Sequence, residues 1–155
     1  MNKFFTLLLL HAALLSHLFT YGELHKVQNC EGDFTLMSQA EVDAFTYTEV
    51  TSRLVISGSD ITNLDALSSL RKVHGDFLIQ ETKLTALDGL SALDSVGGPL
   101  DISSPGLSNI KALASLRTVG DLSIIENNSL TSLDGCSSFT EIKRRLINSI
   151  KPNLH

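Results

Sequence analysis

Residues 61–75 read ITNLDALSSLRKVHG and residues 84–98 read LTALDGLSALDSVGG, so one pattern returns after 23 residues. Two more copies follow, beginning at Leu107 and Leu130. Apolar residues stand three positions apart within each copy, and five columns of the alignment are apolar in all four copies. These columns are Ile61/Leu84/Leu107/Leu130, Leu64/Leu87/Ile110/Leu133, Leu67/Leu90/Leu113/Cys136, Leu70/Leu93/Leu116/Phe139 and Val73/Val96/Val119/Ile142. The repeat is therefore the unit from which the fold is built.

The three-residue spacing has two structural interpretations. One face of an amphipathic helix also places apolar residues at i and i+3, but such a helix favours i+4 partners as well. The copies contain Gly75, Gly89, Gly120 and Gly135 with many Ser and Thr residues, and this composition disfavours long helices. The pattern therefore predicts a compact coil that turns a side chain inward at every third residue, and stacked coils would bury a continuous core.

A short strand is predicted before each coil, at LVISG 54–58, FLIQE 77–81 and LDISS 100–104. Strand alternation sends one set of side chains inward; this set is Leu54/Ile56, Phe77/Ile79 and Leu100/Ile102. The fourth strand begins at Leu122, one residue early, which predicts a bulge or loop adjustment there. Successive strands are expected to pair in parallel, giving a mainly β, α/β solenoid of 23-residue coils.

The domain organisation follows from the repeat and its flanks. Residues 1–22 carry one positive charge and then a long uncharged apolar run, which predicts a signal peptide, with a membrane anchor as the alternative. Residues 23–52 are expected to form an N-terminal cap with a short helix, because Ser38 and Glu41 match a capping box. Residues 53–145 hold the four coils. Residues 146–155 form either a partial fifth repeat or an improvised cap, and the chain is interpreted as a possible fragment of a longer array.

Charge and cysteine content exclude some functions. The full chain has a formal net charge of −5, and residues 23–140 hold 7 basic and 16 acidic residues, which argues against nucleic acid as a partner. The two cysteines, Cys30 and Cys136, are not expected to form a disulfide, because the repeat places them far apart. No hydrolase, metalloprotease or phosphate-loop motif is present, so no cofactor, metal or catalytic residue is predicted.

Two polar patterns within the repeat invite a functional interpretation. Asp65, Asp88, Lys111 and Asp134 form one column, but the lysine interrupts it, so each Asp is expected to cap a local turn through its own side chain. Residues 127–129, Asn-Asn-Ser, match a glycosylation sequon, which matters only in a eukaryotic secretory route.

These residues carry a family resemblance over about residues 30–142. The segment from CEGDFTLMSQAEVDAF through LVISGSDITNLDALSSLRKVHGDFLI resembles the start of a receptor L domain, in the form found in secreted bacterial proteins. Family members have a cysteine near the mature start, a short helix, and repeats with leucines at every third position that close on V-G-G. The resemblance implies a short right-handed β-helix, related to leucine-rich repeats, and extracellular binding of a ligand. No kinase or cysteine-rich region accompanies it here.

The predicted function is that of a secreted or cell-surface, non-catalytic recognition or adhesion module without a membrane span in its mature chain. Its expected partner is an extracellular protein or glycan, bound on the outward side of the strands. The candidate binding residues are Val55, Ser57, Leu78, Gln80, Asp101, Ser103, Glu126 and Asn128. The alternatives are a structural spacer or fragment of a longer repeat protein and, less favoured because the chain is short, a polysaccharide-active β-helix enzyme.

Overall fold

The computed structural model describes residues 29–135, 141–142 and 146–149. The predicted signal peptide lies outside the described residues, as do Cys136 and Phe139 of the apolar columns. Within the described part of the chain, no helix has the length and apolarity needed to cross a bilayer.

The fold is mainly a parallel β-sheet with few helices, and all pairings between described strands are parallel. The strands are β1 (Asn29–Cys30), β2 (Phe34–Leu36), β3 (Glu49–Val50), β4 (Leu54–Ser57), β5 (Lys72–Val73), β6 (Phe77–Gln80), β7 (Ser95–Ser103), β8 (Thr118–Ile125), β9 (Glu141–Ile142) and β10 (Leu146–Ser149). The α-helix α1 (Gln39–Asp43) follows β2, and 3-10 helices occupy Asp65–Ser69, Asp88–Leu90 and Lys111–Ser115.

The strands form two ladders that β7 and β8 join. The short ladder runs β1-β3-β5-β7-β8-β9, and the long ladder runs β2-β4-β6-β7-β8-β10. In the long ladder Leu54 pairs with Phe77, Phe77 with Leu100 and Leu100 with Leu122. This register confirms the predicted parallel pairing of successive repeats. The strands β1 to β3, which the sequence did not indicate, extend both ladders into the predicted cap.

One irregularity interrupts the ladders where the fourth strand was expected to begin early. The register between β7 and β8 shifts between Val96 and Pro99, and Pro99 pairs with Asp121. Strand β7 spends two glycines, Gly97 and Gly98, where β8 has Gly120 alone. The extra residue is accommodated as a bulge, so the two strands recover their pairing from Leu100 onward. The predicted adjustment at this strand is confirmed.

The core consists of the apolar columns and the inward side chains of the strands. The column residues with described burial are fully or almost fully buried, apart from Leu133, which is partly buried. The inward strand positions predicted by alternation are buried as well, and β8 adds Leu122 and Ile124. Burying each such side chain contributes roughly 1.5–3 kcal/mol, and no single repeat contains enough of them to fold without its neighbours.

The threefold apolar spacing has a specific structural cause. Leu67 N–H donates to Leu64 O and Leu70 N–H donates to Leu67 O, both at 2.8 Å, and the later copies repeat this pattern. Such i to i+3 bonds define 3-10 geometry, in which side chains three residues apart lie on one side. The predicted coil is therefore a 3-10 helix at its centre. Since Gly89 lies against the preceding repeat, a Cβ there would stand 1.7 Å from Leu64 O.

The helix α1 covers the first repeat, as the capping box predicted. The Ser38 hydroxyl accepts a bond from Glu41 N–H at 3.3 Å, while the Glu41 carboxylate reaches back to the N–H of Met37. Gln39 then connects helix and repeat, because its Oε1 accepts bonds from Thr62 N at 2.8 Å and Asn63 N at 3.3 Å. These bonds satisfy backbone groups at the edge of the first repeat, which has no preceding repeat to pair with.

Candidate functional site

The outward side of the long ladder carries one aligned row of side chains. Residues directly paired across β2, β4, β6, β7 and β8 form this outer row: Thr35, Val55, Leu78, Asp101 and Ser123. Neighbouring members are about 4.8 Å apart, the spacing of adjacent strands. Strand alternation places the row opposite the buried side chains, and its last four members are half-buried. The predicted residues Val55, Leu78 and Asp101 therefore lie together.

A second row, formed by Ser57, Gln80 and Ser103, lies two residues further along the same strands. Carboxylates border it, since the Ser57 hydroxyl lies 3.5 Å from Glu81 Oε2 and the Ser103 hydroxyl lies 3.3 Å from Glu126 Oε2. Both rows together are called the strand face below. Its rim is polar, and its centre combines the apolar side chains of the outer row with hydroxyl and amide groups.

The predicted site residues Glu126 and Asn128 do not lie on a strand. Strand β8 ends at Ile125, and Glu126 follows it with a φ of 57°. Because β8 begins one residue early, Ser123 takes the outer-row position that corresponds to Asp101. Ile125, two residues further along, is among the more exposed large apolar side chains of the described chain. The prediction is corrected accordingly: Ser123 and Ile125 are the outward residues of this strand.

Three aspartates gather around the outer row, which the sequence analysis missed. Burial raises the pKa of the Asp101 carboxyl, and the negative charges of Asp76 and Asp121 raise it further, against a hydrogen bond from Ser123 that lowers it. Asp121 Oδ1 is buried without a hydrogen-bond partner. No group of three potential ligands in the described part of the chain is arranged to hold a metal ion. The 23-residue alignment hid this acidic group because the β7 bulge shifts Asp121 out of column.

A buried polar column runs beside the strand ends and holds successive repeats together. The Thr82 hydroxyl donates to Ser104 Oγ at 3.1 Å, and Ser104 N–H donates to Asn127 Oδ1 at 2.8 Å. Asn127 Nδ2 donates to Ile102 O and Ile125 O, both at 2.9 Å. Asn127 is 5% exposed. In the folded protein the sequon asparagine is therefore a structural residue whose amide nitrogen is already engaged.

The aspartate column of the repeat has a different role from the one predicted. The N–H groups of Asp65, Lys111 and Asp134 are bound by side chains two residues earlier: those of Asn63, Asn109 and Ser132, at 2.9–3.2 Å. The turn is thus capped by this preceding polar residue, and the prediction that each Asp caps its own turn is wrong. The acceptor must stand two residues ahead of the N–H to close such a turn.

The cysteine at the start of the described chain packs in the core. Cys30 is 7% exposed and forms no disulfide with a described residue. Burial raises the pKa of its thiol, which disfavours the reactive thiolate.

Comparison with known proteins adds no relative, since no family model, no curated protein and no solved structure matches the chain.

Proposed function

We propose that this protein is a non-catalytic recognition or adhesion module, secreted or displayed at a cell surface, that binds a protein or glycan on its strand face. We further propose that its repeats form a short right-handed solenoid of the receptor L-domain kind, related to leucine-rich repeats. The observation that carries the binding proposal is the outer row, in which five paired strands present side chains in register on one rigid surface.

Rigidity supports this function. The backbone of the strand face is held by parallel pairing on both sides of β4, β6 and β7, and buried side chains lie directly beneath it. A ligand that docks here orders little additional chain, so most of its contact energy remains available for affinity. Val55 and Leu78, which are adjacent across two strands, supply an apolar contact, while Gln80 and Asp101 supply polar groups beside it.

The size of the surface narrows the class of ligand. Five strands about 4.8 Å apart and four residues long cover roughly 19 by 13 Å, or about 250 Å². A stable protein interface buries about 800 Å² on each partner. The strand face alone therefore suits an oligosaccharide or an extended peptide better than a globular protein.

A glycan array, extended with candidate surface peptides, tests the proposal. Leu78→Asp should weaken binding at least about tenfold, because it places a charge at the centre of the apolar contact. Gln80→Ala should weaken it less. The matched control is Ser68→Asp, which adds the same charge on an exposed turn away from the strand face, and it should leave the affinity unchanged. No binding by the native protein, or equal loss in the control, would instead favour a structural spacer.

Polysaccharide cleavage is the second candidate function, and the acidic group around Asp101 is the observation that favours it. Glycoside hydrolysis commonly requires two carboxyl groups, one of them with a raised pKa that lets it act as an acid. Asp101, with Asp76 and Asp121 close enough to raise its pKa, matches that requirement in kind. Release of reducing sugar that disappears in Asp101→Asn would establish the activity, whereas binding without release would exclude it for the polymers tested.

A further inference from the structure

A groove of about 690 Å³ lies along the short ladder, away from the strand face. Its charged lining consists of Arg71, Lys72 and Arg117 together with Glu49 and Asp94. Small side chains, Ala92, Ala114 and Ser115, complete the lining. The groove is therefore wide and polar, and its described lining includes no aromatic or large aliphatic side chain.

The charged residues are arranged as a column with alternating sign. Arg71, Asp94 and Arg117 are separated by one repeat each, and the backbone connects them directly: Asp94 N–H donates to Arg71 O, and Arg117 N–H donates to Asp94 O, both at 2.8 Å. Because neighbouring strands are about 4.8 Å apart, the two arginines are about 10 Å apart with a carboxylate between them. The repeat thus holds these groups at fixed spacing.

The ion pair within the column is solvent-exposed and adds little stability. Arg117 Nε lies 3.4 Å from Asp94 Oδ1, and the two side chains are 72% and 57% exposed. Exposed pairs of this kind contribute about 0–1 kcal/mol. Glu49 at the groove edge lies 3.2 Å from His74 Nε2. A ligand can therefore rearrange the groove side chains at small cost.

The local charge differs from that of the rest of the protein. Three of the seven basic residues in segment 23–140 line this groove, although the segment holds 16 acidic residues. Random placement on an acidic surface does not favour such a concentration. Positive groups clustered on a negative body attract an anionic ligand to one place and repel it elsewhere.

We infer that the groove binds an acidic oligosaccharide in which carboxylate or sulfate groups alternate with neutral sugars. The guanidinium groups of Arg71 and Arg117 match acidic groups by paired hydrogen bonds. The Asp94 and Glu49 carboxylates accept hydrogen bonds from sugar hydroxyls between the acidic groups. An acidic peptide matches less well, because its carboxylates would face Asp94 and the groove offers no pocket for an apolar anchor. The inference does not depend on the strand face.

Calorimetric titration at low ionic strength tests the inference with hyaluronan and oligogalacturonate hexasaccharides as probes. Arg71→Gln and Arg117→Gln should each weaken binding about tenfold to a hundredfold, since each removes a charge-assisted hydrogen-bonding group. Added salt should weaken binding of the native protein. Lys83→Gln is the matched control, because it changes net charge equally on an exposed residue outside the groove lining, and it should change affinity less than about twofold.

Further probes separate this inference from its competitors. Neutral chitohexaose should bind at least about tenfold more weakly, and equal affinity would overturn the requirement for acidic groups. Equal binding of hexaglutamate, with the same sensitivity to both arginine variants, would assign the groove to acidic peptides and overturn the sugar assignment. No measurable binding of either acidic hexasaccharide would refute the inference. Leu78→Asp should leave groove binding unchanged, so this site and the strand face stand or fall separately.

Discussion

Replacing Asn127 with alanine should remove three hydrogen bonds that connect the ends of two neighbouring strands. The side-chain oxygen of Asn127 accepts from Ser104 N–H at 2.8 Å, and its nitrogen donates to Ile102 O and Ile125 O at 2.9 Å. Alanine makes none of these bonds. The substitution therefore tests whether the buried polar column holds the repeats together.

The expected loss follows from the groups that remain behind. The bonds to Ser104 N–H and Ile102 O are buried, and each partner left unsatisfied costs about 1–3 kcal/mol. Ile125 O lies nearer the surface and can bind water at smaller cost. The sum is about 4 kcal/mol, a large part of the roughly 5–15 kcal/mol that stabilises a typical domain.

Equilibrium unfolding in urea, followed by far-ultraviolet circular dichroism, measures this loss. With a denaturant slope of about 2 kcal/mol per molar, the midpoint should fall by about 2 M. Asn128→Ala is the matched control, because Asn128 is an exposed neighbour in the same turn, and it should change stability by less than about 0.5 kcal/mol. A midpoint for Asn127→Ala within about 0.5 M of the native value would refute the reasoning.

Three further substitutions or treatments test other parts of the structure. Gly89→Ala should cost at least about 3 kcal/mol in urea unfolding, because its Cβ would lie 1.7 Å from a backbone oxygen, and Gly106→Ala, with 3.2 Å available, should cost clearly less; equal losses would contradict the close approach of the repeats. Asp101→Asn should raise the melting temperature at about pH 7 and lose this benefit as the pH falls to the ordinary carboxyl value of 3.8, because a raised pKa makes the ionised carboxylate destabilising. Asp33→Asn should act in the opposite sense, since hydrogen bonds from Ser52 and from the Arg53 backbone lower the Asp33 pKa and stabilise its ionised form above that pH; the same sign in both variants would refute the assignments. Iodoacetamide should alkylate Cys30 at least about a hundredfold more slowly in the native than in the unfolded protein, as measured by peptide mass mapping, and equal rates would show that the thiol is not buried.

The apolar columns show how much of the fold is readable from the chain alone. Leu64, Leu67 and Leu70 stand three residues apart in sequence, and the 3-10 bonds between them place all three in the core. Since burial depends on which side of an element a residue occupies, periodicity predicted these positions without any knowledge of long-range contacts. It did not distinguish a 3-10 helix from an irregular coil, because both present every third side chain to one side.

The cap was only partly readable, for a related reason. The capping box of α1 lies within four consecutive residues, so the sequence contained all the information needed to place it. Strand β2 pairs with β4 at an offset of 20 residues, as Phe34 with Leu54, and not at the period of 23. A search for the repeat therefore passed over it.

The candidate sites depended on contacts that periodicity does not contain. The acidic group around Asp101 and the outward position of Ser123 both follow from the bulge between Val96 and Pro99, which changes which residues of β7 and β8 meet. A shift of one residue alters every later neighbour across the strands.

What the sequence by itself determined was the period, the buried columns and the parallel order of the strands, because these follow from side-chain spacing within one repeat. What only the tertiary structure decided was which polar side chains of different repeats touch: the bonds of Asn127, the aspartates around Asp101 and the charged column of the groove. Such contacts join residues about 23 positions apart. Their geometry is set by the final register of the strands, which local preferences leave open until the whole core has packed.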